Sequence, residues 1–434
     1  MGKEKEITLF GMKWYLFFIV SAVVLIAAYT GILPKGMVGA FPLMIILGTL
    51  LNLAGDHAPI IKSYFGGGAI VVIFVSAAMA YFTWLPEGPV TTVTNFMKGE
   101  GFLDFYIAAL ITGSILGMNR KLLIRAAIRY LPAILGGVLC AIALSALVGA
   151  VSGYGALKAV LYICIPIMGG GMGAGAVPLS QIFGSAMNTD PNTVLSAMIP
   201  AVALGNAMAI VIGGLLNRIG KIKKSWSGNG MMLRSQSNEF DVSSESETSE
   251  ASRLRNQISL TSLGTGLFVS TSFMILGLII AKLVPSIHYY AWMILSVVIL
   301  KAIGIVPAEL ENACYQWYQF VVKNFTAPLL VGIGIAYTDM GQIISAFTPI
   351  YFVLVLAVVV GAVIGSGLMG RVVGFFPIES AVTAGLCMAN MGGTGDVAVL
   401  SASDRMELMP FAQISSRLGG AFMLVLSSIL LQIL

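Results

Sequence analysis

Blocks of about 20 consecutive apolar residues, the length a helix needs to cross the hydrocarbon core of a bilayer, recur from Trp14 to the end of the chain. No other feature limits its folding as severely. Of 434 residues, 58% are hydrophobic and only 10% are charged, against about 25% charged in soluble domains. A soluble fold is excluded, and an all-α polytopic membrane protein is implied. Bounded by charges, Pro and Gly, the uninterrupted stretches predict eleven crossings, near 14–31, 37–54, 68–85, 102–118, 131–152, 193–217, 260–284, 289–306, 325–340, 347–369 and 408–433. The first is too long for a signal-peptide core and is followed by no small-residue cleavage pattern, so it reads as a retained helix. Two more apolar stretches, 157–187 and 377–402, are broken by glycine clusters and cannot be continuous helices.

Charge fixes the orientation. With Lys3, Lys5 and Lys13 in the cytoplasm, that side holds 19 of the 24 Lys and Arg residues, including Arg120, Lys121, Arg125 and Arg129 in one loop and seven between Arg218 and Arg255. The other side holds Lys35, Lys98, Lys158 and Lys282, and Arg417 falls within a span. This asymmetry satisfies the positive-inside rule. It closes only if each glycine-broken stretch leaves on the side it entered, so each is expected to be a re-entrant helical hairpin, with the carboxyl terminus outside. The segment 218–258 is a polar linker whose stretch Ser243, Ser244, Glu245, Ser246, Glu247, Thr248, Ser249 and Glu250 reads as a flexible cytoplasmic tether. After residues 1–36, comprising the amino terminus and an extra first helix, it separates 37–217 from 259–434. Each half has five crossings and one hairpin. The odd number sets the halves upside down to one another, an inverted-topology repeat.

The halves also match locally. One hairpin carries Gly170, Gly171, Met172 and Gly173, the other Gly392, Gly393, Thr394 and Gly395. A proline follows each, Pro200 and Pro410, and then Gly205, Asn206 and Ala207 in one half and Ser415, Ser416 and Arg417 in the other. Irregular backbone at membrane depth is tolerated only inside protein or along a water-filled cavity. There, free amides and a helix N-terminus face an anion while free carbonyls face a cation. The plainer alternative is a tight small-residue packing surface; two clusters in inverted positions favour a site.

Ionisable residues inside spans are functional candidates because burying them is costly. Arg417 stands among small neighbours, and its guanidinium suits a carboxylate; the alternative is an ion pair with Asp396 or Glu407. Asp396 reads either as a cation ligand or as a cap of the following half-helix. Asp404, Arg405 and Glu407 read as interfacial anchors, Glu379 as a cap or a vestibule residue, and Pro307 to Lys323, with Glu309, Glu311, Trp317 and Tyr318, as an interfacial amphipathic connector. His57 and His288 stand apart at span ends, and Cys140, Cys164, Cys314 and Cys387 have no paired spacing, so neither a metal site nor a disulfide framework is indicated. The 23 methionines read as packing. No Walker motif or activated serine is present, so an enzyme is not expected. The net charge of +5 lacks the basic stripe of a nucleic-acid surface.

The words PIMGGGMGAGAVPLSQ (Pro166 to Gln181), ANMGGTGDVAVLSA (Ala389 to Ala402) and FAQISSRLGGA (Phe411 to Ala421) resemble the 2-hydroxycarboxylate transporter family, the bacterial carriers of citrate, malate and related acids. The resemblance covers essentially the whole chain. It implies a homodimer in the inner membrane, in which a rigid dimerisation part holds a mobile part that carries substrate across by an elevator motion. Carried over by position, the substrate site falls on Gly171, Met172, Gly173, Met391, Gly393, Thr394 and Arg417. Sodium, in sodium-coupled members, would be held by Met388, Asn390, Thr394, Asp396 and Ser416. No cofactor is implied beyond sodium or a proton as coupling ion, and the partners are a small organic acid and membrane lipid. In citrate carriers of this family the positions of Met172 and Met391 are typically Asn and Arg. Losing those contacts for extra carboxylates favours malate, with citrate and lactate as alternatives, carried by symport or exchange. Two rivals stay open: an inverted-repeat cation/proton antiporter using Asp396, and an organic-anion channel.

Overall fold

The computed structural model describes residues 8–58, 68–118, 120, 130–234, 259–284, 288–338, 340–341, 344 and 348–433. A two-stranded turn, β1 (Thr8–Leu9) against β2 (Met12–Lys13), leads into α1 (Trp14–Tyr29), which buries Phe17, Ser21 and Ala28, partly buries Val24 and Leu25 and leaves most of its other side chains exposed. There follow α2 (Met37–His57), α3 (Gly68–Tyr81), α4 (Glu87–Lys98), α5 (Phe102–Leu116) and α6 (Leu131–Val151). α7 (Ala156–Ile167) stops at the first glycine cluster, and α8 resumes with a π-turn over Met172–Ala176 that runs into Val177–Met187. Asp190 then caps α9 (Pro191–Ile222) by accepting from the Asn192 amide.

The second half has its own broken segment. α10 (Leu260–Leu283), α11 (Tyr289–Ile303), α12 (Ala308–Tyr337) and α13 (Pro349–Val372) precede α14, formed by Pro377–Ser380 and the π-turn Ala381–Leu386. The chain breaks at the second cluster, and α15 (Gly393–Ser403) and α16 follow. α16 is built from Met409–Ile414, the π-turn Ser415–Gly419 and Gly420–Ile433. Among the described residues seven helices, α2, α6, α9, α10, α12, α13 and the Phe411–Gln432 part of α16, are long and apolar enough to cross a membrane. α4 and α5, bent by 46° to one another, make an eighth if taken as one span. The chain is a multi-pass, all-α membrane protein.

The helices pack as two groups. α2 to α5 gather around α10 to α12, with α12 as the common neighbour. α6 to α9 gather with α13 to α16 around the α6–α13 pair, the most extensive helix contact in the molecule. Its closeness comes from small residues. A Cβ on Gly361 would lie 2.8 Å from the Cys140 carbonyl oxygen, one on Gly136 would lie 2.7 Å from the Met369 Cβ, and one on Gly365 would strike the Gly136 carbonyl. Without a hydrophobic drive between helices in lipid, such close approach is what holds them together.

Three expectations need correction. Pro307–Lys323 is no interfacial connector: it forms the first half of α12, with Trp317 buried and Glu311 paired 2.7 Å from the buried Lys301 ammonium, which also donates to the Leu116 carbonyl at 2.8 Å. The linker starts later than position 218, because α9 continues through Ile222. Its first stretch is also not free: Leu233 bridges Phe375, and the Phe376 amide donates to Met232 at 3.0 Å. The serine-rich run Ser243 to Glu250 lies outside the described residues.

Gly365→Val should separate α6 from α13 and cost about 1–3 kcal/mol, the usual range for overpacking. Thermal unfolding in detergent would record it, and an unchanged midpoint would contradict the packing described.

Candidate functional site

Each broken segment exists because glycine permits what its main chain does. Gly170 and Gly171 have φ of 84° and 109°, and Gly392 has 83°, in the region L side chains avoid. They also permit contact. A Cβ on Gly171 would lie 2.7 Å from the Met391 carbonyl oxygen and one on Gly420 2.8 Å from the Gly169 carbonyl oxygen, and one on Gly170 would strike the Ser416 carbonyl. The tips of the two broken segments and the middle of α16 therefore meet main chain to main chain.

Beside this junction lies a buried polar cluster. Asp396, fully buried in the first turn of α15, accepts from Asn390 Nδ2 at 2.9 Å and from Ser416 Oγ at 2.7 Å. Asn390 also caps the break, its Oδ1 accepting from the Gly392 amide at 2.7 Å. Asn206 Oδ1, from α9, accepts from the Met391 amide at 3.1 Å, and Gly395 admits it, since a Cβ there would lie 2.6 Å from that oxygen. The Asn206 Nδ2 is buried without a partner. Ser415 meets the Tyr130 hydroxyl at 2.7 Å. Three π-turns, Met172–Ala176, Ala381–Leu386 and Ser415–Gly419, border the junction; such turns collect at functional sites because they loosen the carbonyl ladder.

Of the residues expected at the site, Gly171, Met391, Asn390, Asp396 and Ser416 come together here. Met388 is fully buried, its sulfur 2.8 Å from where a Cβ on Gly419 would lie. Met172 is buried on the first tip. Gly173 faces space: a Cβ there would meet only Leu329 and Tyr106, both at 3.9 Å. The main chain of Gly393 and Thr394 opens α15, whereas the Thr394 side chain lies outside what is described. Arg417 sits in the α16 π-turn, half-buried, with Tyr318 across from it: Nη2 is 3.5 Å from the phenolic oxygen and the guanidinium carbon 5.6 Å from the ring centroid. The expected alternative of an ion pair with Asp396 or Glu407 is not what its geometry gives.

Arg405 and Glu379 also need correction, for neither is an interfacial anchor or a helix cap. Both are buried, with Nε 2.9 Å from Oε1. Arg405 further donates to Asn217 Oδ1 at 3.2 Å, to Ser227 Oγ at 2.8 Å and to the Ser403 carbonyl. This ties the base of α14 to the end of α15 and to the start of the linker. Sequence reasoning assigned no role at the site to Asn206 or Tyr318. The polar residue at mirrored depth signalled the first; nothing signalled the second.

Among the described residues no three His, Cys, Asp or Glu gather, so a cation at the cluster would rest on one carboxylate with neutral oxygens. A polytopic helical protein whose backbone is interrupted at depth beside a buried carboxylate and an arginine is built to pass solutes through a membrane: it is a transporter. The model of the 2-hydroxycarboxylate transporter family matches residues 9–429, and the chain belongs to that family. It is 38% identical over 431 residues to the citrate transporter CitP of Leuconostoc mesenteroides subsp. mesenteroides, covering 99% of this chain and 95% of that one. It is equally similar, 38% over 434 residues, to the malate transporter MleP of Lactococcus lactis subsp. lactis (strain IL1403), covering 99% and 98%. The citrate/sodium symporter of Klebsiella pneumoniae is 38% identical over 428 residues, 97% and 94% of the two chains.

Glu379→Gln should leave the Arg405 guanidinium buried without its counter-charge and cost about 3–5 kcal/mol. Adding Arg405→Met should restore much of it; melting of the two variants in detergent compares them directly.

Proposed function

We propose that the chain is a secondary active transporter of 2-hydroxycarboxylates, malate before citrate or lactate, working by cation symport or exchange in the bacterial inner membrane. The observation that carries this reading is the junction itself, where both glycine tips and the Arg417 turn meet. In it, α7–α8 and α14–α15 are re-entrant hairpins, 37–217 and 259–434 are inverted repeats, and α6 to α9 with α13 to α16 form a mobile group. The other group is the fixed part of a homodimer. The amino terminus is cytoplasmic and the carboxyl terminus outside.

Arg417 would take the carboxylate that all 2-hydroxy acids share, while the first amides of α8 and α15, at Met172, Gly173, Gly393 and Thr394, add donors and helix dipoles. Met172 and Met391 bring no charge to further carboxylates. A third carboxylate would be buried unpaired there, which is why a dicarboxylate is favoured. Asp396, Asn390 and Ser416, with main-chain oxygens at Met388 and Thr394, supply hard oxygen donors for sodium, or Asp396 a proton site. Coupling then follows from charge, because a loaded anion without its cation leaves the mobile group too charged to move.

Uptake of labelled malate and citrate into proteoliposomes, under imposed sodium or pH gradients, tests this. Arg417→Ala should lower malate uptake about 10- to 100-fold, the worth of a charged hydrogen-bonded pair. Unaltered uptake would remove Arg417 from the site. Asp396→Asn should abolish stimulation by the gradient more than it weakens exchange. Cation movement without any organic acid would instead favour an antiporter, and flux that never saturates a channel.

A further inference from the structure

Arg417 and Tyr318 belong to different helix groups, the first to α16 and the second to α12. Tyr318 packs closely on α5, where a Cβ on Gly113 would strike its own Cβ, and its ring lies 6.2 Å from that of Tyr315, centroid to centroid. The guanidinium lies over that fixed ring at 5.6 Å and reaches its hydroxyl at 3.5 Å. Among the described residues no carboxylate lies within ion-pair distance of Arg417, and Asp396 meets its charge only at longer range. The group best suited to a substrate carboxylate is thus occupied by an aromatic face of the opposite group.

A cation over a ring is attracted less strongly than a guanidinium gripping a carboxylate with two hydrogen bonds. The contact is therefore firm enough to park the arginine and weak enough for an organic acid to displace. Resting on the transport reading above, we infer that Tyr318 is a positioning residue that holds Arg417 in the unloaded carrier and gives it up to a substrate carboxylate. Because the two groups move past one another in that reading, the contact exists in only one end position. Empty carrier is retained there, and loading releases it. Tyr318 thereby biases the protein toward exchange over unloaded return, and it competes with substrate for Arg417.

The test compares two fluxes from malate-loaded proteoliposomes, efflux into malate-free buffer and exchange against external malate. In Tyr318→Leu, the ratio of efflux to exchange should rise and the apparent KM for malate fall, each by about threefold to tenfold, the range of a partly desolvated cation–π contact. Tyr318→Phe keeps the ring and should move both readouts the same way by less; it decides the matter if the Leu variant does not fold. A merely structural role would lower both fluxes in parallel and leave their ratio alone. That result, or an unmoved KM, overturns the latch while leaving transport intact. A wild-type protein that carries neither malate nor citrate would overturn the functional reading and the latch with it.

Discussion

A backbone that leaves its helix inside hydrocarbon must find partners in protein or water, because each bare amide facing lipid costs several kcal/mol. The molecule meets this demand by setting its two interruptions against each other. Gly171 abuts Met391, Gly420 abuts Gly169, and Asn390 and Asn206 take up the amides of Gly392 and Met391. Other features of the second helix group serve that meeting. α9 and α16 flank the broken segments, the α6–α13 pair sets the distance between them, and the Arg405–Glu379 pair fastens the arms of the second one at its base.

The same junction explains why the polar residues stand where they do. Asp396 is tolerated in full burial because Asn390 and Ser416 both donate to it. The Gly392 amide, which a helix start would leave open, is satisfied by Asn390 Oδ1, not by the aspartate. The carboxylate is left beside neutral donors, Asn390 and Ser416. Arg417 stands off from it, and its charge is met by an aromatic face.

Much of this was legible in the sequence, and the misses have physical reasons. Apolar block length located most of the helices but missed α4 and the first half of α12, and the two glycine clusters located the interruptions at 168–171 and 387–392. Glycine marks close approach wherever it occurs, so its signal survives without any tertiary information. Charge was a poorer guide. Arg405 and Glu311 read as interfacial because hydropathy assigns every ionisable residue near a block end to water, whereas here each is paired inside the protein, with Glu379 and Lys301. Trp317 and Tyr318 were misplaced for the same reason, since the polar start of α12 masks a helix that continues to Tyr337. Tyr318 could not have been found: nothing local ties it to a residue 99 positions away.

The pairing of α6 with α13 bears on how the chain is made. α6 leaves the ribosome long before its glycine-lined counterpart exists, so its small-residue face, Gly136 and Gly137 among it, must wait in lipid or against a chaperone. The helix group built on that pair then closes only when the second half has been synthesised. Truncation between the halves would strand a seam with no mate.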